Sequence, residues 1–529
     1  MNKNGIFWSM ATLLATLSAS CNSRLSITGG KSQKANAGTT QSPGPEASSD
    51  PKPLPTTSPG PSASEEPSPS PSPSPSPLAP LPGTFNFDFP AVIIAGQQIP
   101  SHTHNLPERA GMVFSTTSEM PSGVNLDPMT GKFLGTPTIG FVGTVRVHAK
   151  LDTETATSDV LFDIQSAFTD DLTLVETFKN GVNGLSNFDA PRSITFKNDG
   201  SQIYVASAFS ASVSVFSRSM DGTLVLSQQL VDGAGGVDGL SNVWYCDTNS
   251  SHLFCGGYLD HAVAVVDNSN TSLAFQGVVK NGVNGVTNLL QPQYLGASPD
   301  GKFLYVGSIG SHSISVMDTS GGTPTVVSQV TNGVDGADFL TSPKGILVTN
   351  DRVYVAASTA HSISIFQRNG QTGALTFLSR VVQGVDGVDG LNGAHALVMS
   401  PDGKHLYAAG YGGGATKMGH FDVTGSGLAF RGTFGGDGTL PDMEGIAKLS
   451  MSPEGRSIYA ASAVLNKIFV IDRHPASGLL TLKSSHADGD PGFELLAGTN
   501  HAAVSPDGKH VYVTASNDDA VSVYRRGSR

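Results

Sequence analysis

Short runs of alternating apolar and polar residues recur along the last two-thirds of the chain, with a period of about 50 residues. Each repeat has an apolar run, a turn of the Ser-Pro-Asp-Gly type, a second apolar run, a polar loop and a third, strictly alternating run. Period-two alternation indicates β-strands with two distinct faces, and Pro, Asp and Gly are typical turn residues. The clearest turns lie at 298–301, 400–403, 452–455 and 505–508.

A fourth run follows the third in most of the seven repeats, and it indicates how the array ends. The seventh repeat has no such run, whereas an additional copy at 172–178 precedes the first repeat. An N-terminal strand that completes the last blade closes a ring and leaves no open strand edge. Residues 171–529 are therefore predicted to form a seven-bladed β-propeller in an all-β chain.

Residues 83–166 are predicted to form a separate small β-sandwich. Strand-like runs lie at 85–89, 91–94, 143–151 and 158–164. The stretch 120–137 resembles the repeat motif of bacterial immunoglobulin-like or cadherin-like domains, with a tight turn at 127–131 between two short strands. Some members of that family bind calcium, but the acidic residues here are sparse, so we expect a structural spacer.

The first 21 residues have the pattern of a bacterial export signal. Lys3 precedes a short apolar core, small residues follow at 18–20, and Cys21 comes next. Residues 17–21 resemble a lipobox, although the Leu lies four residues before the Cys instead of three. Lipidation of Cys21 would attach the chain to the outer membrane or cell surface. The alternative is ordinary cleavage, which would leave a secreted or periplasmic protein.

Residues 22–82 form a linker that is rich in Pro and Ser, with strict Pro-Ser alternation at 67–77. Such a sequence remains extended and solvated and rises roughly 3.1 Å per residue where it is polyproline-like. We predict a disordered spacer, with a proline-rich ligand for another protein as the alternative.

The charge balance excludes one class of partner. The formal net charge is −12, from 31 basic and 43 acidic residues, and no basic run is present. An acidic chain of this kind is a poor candidate for binding nucleic acid. No apolar stretch of the mature chain is long enough to span a membrane, and we expect a monomer.

One position near the start of each first strand is predicted to line the mouth of the propeller channel. Counting back five residues from each turn gives a ring in which six of seven residues are polar and no two neighbouring blades share a residue type, which suggests a mouth that could hold a ligand instead of a purely structural position. Its two cations suit an anionic or carbonyl-bearing ligand. The alternative is a wet channel that binds nothing. The ring consists of Arg192, Asn242, Gln293, Lys344, His395, Ala447 and Asn500.

Two other recurring features carry polar residues. His261, His312 and His361 open three consecutive third strands, too far apart for shared zinc coordination, so we expect each to hydrogen-bond the neighbouring blade. The connectors are rich in Asn-Gly and Asp-Gly, which predicts structural turns. Calcium is the alternative there; otherwise we expect no cofactor and no metal site.

Cys246 and Cys255 flank a predicted hairpin turn and are placed on diagonal positions of one face. In an oxidising compartment they would form a disulfide. Two buried thiols are the other interpretation.

The segments 366–376 and 472–481, together with the repeats, resemble the lactonase-like seven-bladed propeller family. That family includes enzymes of the 6-phosphogluconolactonase type and exported propellers with no known reaction. The resemblance assigns no catalytic residue here. Two hypotheses follow: an envelope binding module for a protein, glycan or small molecule, or an exported lactone hydrolase. In the second, His395 or Glu444 would act as base, and Arg192 and Lys344 would hold the acyl oxygen.

Overall fold

The computed structural model describes residues 79–90, 93–95, 97–137, 141–165, 168–412, 414–438 and 440–528, which belong to one unit of the chain. Every regular element among them is a β-strand, and none of these residues forms a helix that could cross a membrane. The predicted export signal at 1–21, with Cys21, and the linker from 22 to 78 lie outside the described residues.

The segment before the propeller forms a small β-domain. A four-stranded sheet has the order β2-β8-β7-β4, and two short pairs, β1-β3 and β5-β6, complete the domain. The predicted tight turn joins β5 to β6, where the Gly131 N–H donates to the Asp127 carbonyl at 2.9 Å. The strands are β1 Phe87–Asp88, β2 Ile93–Ile94, β3 Thr103–His104, β4 Val113–Thr116, β5 Val124–Leu126, β6 Phe133–Gly135, β7 Phe141–Leu151 and β8 Glu154–Gln165.

Seven four-stranded antiparallel sheets follow, and they confirm the predicted propeller. Six blades are simple meanders, in which each strand pairs with the next one along the chain. After β9 Phe168–Lys179, their strands are β10 Pro191–Phe196, β11 Gln202–Ser207, β12 Ser212–Arg218, β13 Leu224–Val231; β14 Val243–Thr248, β15 His252–Gly257, β16 Ala262–Asp267, β17 Ala274–Lys280; β18 Pro292–Ala297, β19 Phe303–Ser308, β20 Ser313–Asp318, β21 Thr325–Thr331; β22 Pro343–Val348, β23 Arg352–Ala357, β24 Ser362–Arg368, β25 Leu375–Val382; β26 Ala394–Met399, β27 His405–Gly410, β28 Met418–Thr424, β29 Gly427–Phe434; β30 Ile446–Met451, β31 Ser457–Ser462, β32 Lys467–Arg473 and β33 Leu480–Ala487.

The seventh blade combines the two ends of the propeller sequence. Its strands are β34 Thr499–Val504, β35 His510–Ala515, β36 Ala520–Ser528 and β9, in that order. Strand β9 pairs antiparallel with β36, and Phe178 lies opposite Val521. The predicted closure by the N-terminal strand is therefore confirmed, and the strand begins at residue 168, three residues before the predicted boundary.

A buried charge cluster fixes the start of the closing strand. The Arg526 guanidinium is fully buried and donates to the Asp170 carboxylate (Nε–Oδ1, 2.8 Å) and to the Glu454 carboxylate (Nη2–Oε1, 2.6 Å). The Tyr459 hydroxyl also donates to Asp170, at 2.7 Å. Breaking a buried ion pair by removing one partner costs about 3–5 kcal/mol, so this cluster holds β9 against the sixth and seventh blades.

Other arginines join neighbouring blades at the Ser-Pro-Asp-Gly turns. Arg368, at the end of β24, donates to both carboxylate oxygens of Asp300 at 2.9 Å and to the Tyr305 hydroxyl at 2.9 Å, all in the preceding blade. A single nitrogen, Nη2, makes both contacts with the carboxylate, and hydrogen bonds between charged groups are stronger than neutral ones. Arg218 makes the same contacts to Asp507 and Tyr512, which joins the first blade to the seventh across the closure.

On the opposite face of the ring, a second type of hydrogen bond joins neighbouring blades. His261, His312 and His361 lie in the left-handed backbone region (φ 51–54°), and the Nδ1 of each accepts from a backbone N–H of the next blade, at 2.7–3.1 Å. The predicted contact with the neighbouring blade is confirmed. Asn466 and Asp519 serve the same purpose, and Asp519 Oδ1 accepts from the N–H of Ala190, which again joins the last blade to the first.

The connectors repeat one hydrogen bond, which accounts for their composition. A polar side chain at the start of the connector accepts from the backbone N–H eight residues later and closes the loop. The structural interpretation of these turns is confirmed. The accepting residues are Asn180, Asp232, Asn281, Asn332, Gln383 and Asp488.

Cys246 and Cys255 lie directly opposite each other in the β14–β15 pair, and their sulfur atoms are joined in a disulfide. The diagonal placement expected from the sequence was wrong, because β14 extends two residues past Cys246, to Thr248, and this shortens the predicted turn.

The small domain contacts the propeller on the face of the Ser-Pro-Asp-Gly turns. Glu119 Oε2 lies 2.6 Å from Lys404 Nζ, and the Arg456 guanidinium donates to the Ile164 carbonyl. Lys404 and Arg456 each follow such a turn, in the fifth and sixth blades. Because each first strand runs from the channel mouth to this turn, the small domain lies on the face opposite the mouth.

Shortened chains test the closure. We expect melting temperature to fall in the order of chains that start at Phe168, Leu172 and Lys179. The second chain loses Asp170 from the buried cluster, and the third also loses the pairing with β36. The melting temperatures of the second and third chains should differ by roughly 5 °C or more, since a loss of 1 kcal/mol in stability lowers the melting temperature of a domain of this size by about 2 °C. Circular dichroism melts measure it, and equal melting of the last two chains would contradict closure by 172–178.

Candidate functional site at the mouth of the channel

The first strand of every blade carries a bulge next to its first residue, and this bulge builds the ring at the mouth. In the first blade, Pro191 pairs with Ser207 and Ser193 pairs with Ala206, so Arg192 between them has no partner in the ladder. Bulges of this kind re-aim side chains at the rims of sheets. The seven residues at this position are Arg192, Trp244, Gln293, Lys344, His395, Ala447 and Asn500.

Six members agree with the sequence interpretation, but the second blade contributes Trp244 in place of Asn242. Asn249 begins the turn of this blade, because its Oδ1 accepts from the N–H groups of Ser251 and His252. Counting five residues back from Asn249 gives Trp244. Asn242 precedes the strand with φ 54° and accepts a hydrogen bond from the Trp244 indole.

Arg192 is a buried cation without a carboxylate partner among the described residues. Its guanidinium carbon lies 4.4 Å from the centre of the Trp244 ring, and Nη1 donates to Asn500 Oδ1 at 3.2 Å. Its Nε has no hydrogen-bond partner. Burial lowers the pKa of this guanidinium, which nevertheless remains charged at neutral pH because its ordinary pKa is so high.

Two lysines add positive charge to the same channel. Lys344 is half-buried, and burial lowers its pKa. Lys448 lies one residue beyond the ring in the sixth blade, with Nζ 4.7 Å from the centre of the Tyr245 ring across the channel. Burial lowers the pKa of Lys448, and the charge of Asp247 partly opposes that shift. Within the described part of the chain, neither ammonium group has a carboxylate within 4 Å.

His395 is held neutral by its surroundings. Burial, and then the positive charge of Lys344, place its pKa well below the ordinary value. Its Nδ1 donates to the Ala447 carbonyl at 3.1 Å, so Nε2 is the unprotonated nitrogen, and it accepts from the Tyr294 hydroxyl at 2.7 Å. Both ring nitrogens are therefore engaged, which leaves His395 without a free lone pair for general-base chemistry.

Aromatic side chains close the channel just below the ring. The Tyr245 and Tyr294 rings lie 4.5 Å apart, and the Tyr245 hydroxyl reaches across the channel to the Ala447 carbonyl at 3.5 Å. The Tyr294 and His395 rings meet edge to face at 5.3 Å. A ligand at the mouth would therefore rest on this aromatic layer.

A cavity of about 420 Å³ lies beyond the layer, and it is lined by residues further along the first strands, including Asp247, Lys448 and His501. The Asp247 carboxylate accepts from the N–H groups of Thr248 and Ala297, while burial raises its pKa. His501 Nδ1 accepts from the Ile194 N–H at 3.2 Å, and burial keeps its pKa well below the ordinary value.

The amide members of the ring are ordered by their neighbours. Gln293 and Asn500 are both buried, and Asn500 Nδ2 donates to the Ser516 hydroxyl at 2.9 Å. Glu444, the alternative base, lies in the connector before β30, and its main-chain carbonyl accepts from the Ser462 hydroxyl at 2.6 Å. The sequence interpretation missed Trp244, Tyr294 and Lys448. Counting back five residues from Asn249, where the turn of the second blade begins, would have found Trp244.

Comparisons with known proteins address the fold. The hydrazine synthase of Kuenenia stuttgartiensis matches with a TM-score of 0.50 and 16% identity, over 66% of this chain and 100% of its own. The periplasmic gluconolactonase of Pseudomonas aeruginosa matches with a TM-score of 0.47 and 18% identity, over 65% of this chain and 94% of its own. At 16% identity the first match shows the fold alone, and no inference is drawn from the second, whose TM-score is below 0.5. No curated protein matches the sequence significantly.

A family model described as "Lactonase, 7-bladed beta-propeller" matches residues 244–388, which span the second to fourth blades. The blade count, the closed ring and this match agree with one another. They show that the chain contains a seven-bladed β-propeller, in which residues 244–388 are similar to the lactonase family.

Proposed function

We propose that the propeller is a binding module whose channel mouth takes a small anionic ligand, with a sugar acid as the ligand class. The observation that carries the proposal is the pair of cations at the mouth, Arg192 and Lys344, neither of which has a carboxylate within 4 Å among the described residues, in a chain with a net charge of −12. Buried charges are normally paired, because an unpaired one loses hydration without compensation. A bound carboxylate would supply the missing negative charge.

The remaining ring residues suit the polyhydroxylated part of such a ligand. Gln293 and Asn500 offer amide donors and acceptors, and Trp244 offers an aromatic face. A carbohydrate site typically combines an apolar surface with a few fixed polar groups. Arg192 is already oriented by Trp244 and Asn500, so little side-chain entropy is lost on binding.

The position of the small domain supports presentation at the cell envelope. The domain lies on the face opposite the mouth. Ala79, at the start of the described chain, contacts Arg109 of the small domain, so the predicted lipid anchor and spacer would join the described chain at that domain. In this proposal the immunoglobulin-like domain is a structural spacer between linker and propeller.

An exported lactone hydrolase is the second candidate, and the family match at 244–388 favours it. Hydrolysis of a sugar lactone yields a sugar acid, so both candidates use the same ligand class. The geometry of His395 weighs against catalysis, because Tyr294 occupies its only basic nitrogen and burial raises the pKa of Tyr294 far above neutrality.

Replacing Lys344 tests the anionic site. We expect Lys344→Met to weaken the binding of D-gluconate at least about tenfold, since a hydrogen bond to a charged group contributes about 1.5–3 kcal/mol. Isothermal titration calorimetry measures the effect, and affinity should also fall with added salt.

Lys302→Met is the matched control, because Lys302 is exposed on the opposite face of the third blade and the variant makes the same change in charge. It should bind like the unaltered protein. Equal loss in both variants, or no gluconate binding by any form across a panel of sugar acids, would contradict the proposal.

A rate measurement separates the two candidates. We expect no acceleration of D-glucono-1,5-lactone opening beyond the spontaneous rate in a pH-stat assay, because neither ring nitrogen of His395 is free. An acceleration that His395→Gln abolishes, while Lys302→Met leaves it intact, would instead favour the lactone hydrolase.

A further inference from the structure

One buried position of the repeat carries a histidine in the fifth blade and an aliphatic residue in every other blade. The position lies on the third strand, opposite an aromatic residue of the second, and His420 faces Tyr407 there. All of the equivalent residues are fully buried or nearly so. They are Val215, Val265, Val316, Ile365, Val470 and Val523.

A histidine at position 420 gives the protein no evident stability beyond that of the aliphatic residue found in the other blades. The side chain is 5% exposed, and Nε2 has no hydrogen-bond partner. A buried polar atom without a partner costs about 1–3 kcal/mol, which a valine would avoid. The His420 ring stacks on the Tyr407 ring, with centroids 4.9 Å apart. This stacking does not require a nitrogen atom at the position of Nε2.

Two further metal-ligating side chains lie beside His420. His405 pairs directly with Asp422 across the β27–β28 ladder, and its Nε2 lies 3.7 Å from Asp422 Oδ1. Ligand atoms of His405, His420 and Asp422 all lie within 4.8 Å of one another. Asp422 is a third exposed, so an ion can reach the cluster from solvent.

We propose that His405, His420 and Asp422 bind a divalent transition-metal ion, with zinc as the best-suited ion. Two imidazoles and one carboxylate are common zinc ligands, and three protein ligands leave a fourth tetrahedral position for water. Arg473 of β32, in the sixth blade, donates to Tyr407 and His405 of β27, in the fifth. An ion bound to His405 would therefore lie at the boundary between these two blades.

Arg473 and Arg431 contact the proposed ligands, and their hydrogen bonds determine which groups must move when the metal ion binds. Arg473 Nη2 donates to His405 Nδ1 at 2.8 Å, so the proton of the neutral ring is on Nε2. Coordination through Nε2 transfers that proton to Nδ1, and Arg473 Nη2 then turns to the Pro475 carbonyl, now 3.3 Å away. Arg431 contacts the other oxygen of Asp422, Oδ2, at 3.3 Å, which leaves Oδ1 free to coordinate.

Zinc binding by the full chain, purified without a histidine tag, tests the proposal. We expect about one Zn²⁺ per chain by calorimetry and by elemental analysis after gel filtration, together with a higher melting temperature that EDTA reverses. His420→Val should lose this zinc and the zinc-dependent shift. It should still fold, because valine is the residue of five other blades at this position.

His510→Gln is the matched control, since His510 is the equivalent of His405 in the seventh blade, where Val523 replaces the second histidine. It should retain the zinc. The proposal is wrong if the unaltered chain binds no zinc stoichiometrically, or if His420→Val binds zinc as tightly as the unaltered chain does. Neither outcome bears on gluconate binding at the mouth, so this test is independent of the proposed function.

Discussion

The pairing of β9 with β36 is the constraint on which the rest of the propeller depends. A blade needs four strands, and the C-terminal segment supplies only three, so the ring exists only when the N-terminal strand joins it. Three further contacts bridge the same junction: Arg218 with Asp507, Asp519 with Ala190, and Arg526 with Asp170. The mouth itself spans this junction, because Arg192 of the first blade donates to Asn500 of the seventh.

The two faces of the ring are joined by different chemistry. Arginine–aspartate ion pairs join blades at the Ser-Pro-Asp-Gly turns, and hydrogen bonds from backbone N–H groups to side-chain acceptors join them on the mouth face. These contacts account for most of the conspicuous polar residues of the repeat. These contacts do not account for the cations of the channel, since none of those side chains has a carboxylate within 4 Å among the described residues. Their burial carries a cost in hydration, which a bound anion would offset.

The sequence pattern predicted the architecture because each blade repeats the same local signals. Alternation, turn chemistry and the unmatched strand at 172–178 together specify blade count and closure. The register of the second blade could not be read in the same way, because Asn249 and two serines replace the usual turn sequence. Contacts across the channel, such as Tyr245 with Ala447, join residues 202 positions apart and have no local signal. His420, by contrast, could have been found from the sequence, because an alignment of the third strands of the blades shows it among valines. The prediction considered only His261, His312 and His361.

Amide hydrogen exchange at 172–178 in the full chain tests the closed ring most directly. If β9 is the fourth strand of the last blade, its amides should exchange as slowly as those of a regular fourth strand such as β25, because both pair with the third strand of their blade. Exchange at 172–178 as fast as in the exposed connector at 232–239 would show an open ring and would contradict the account of the mouth that rests on it.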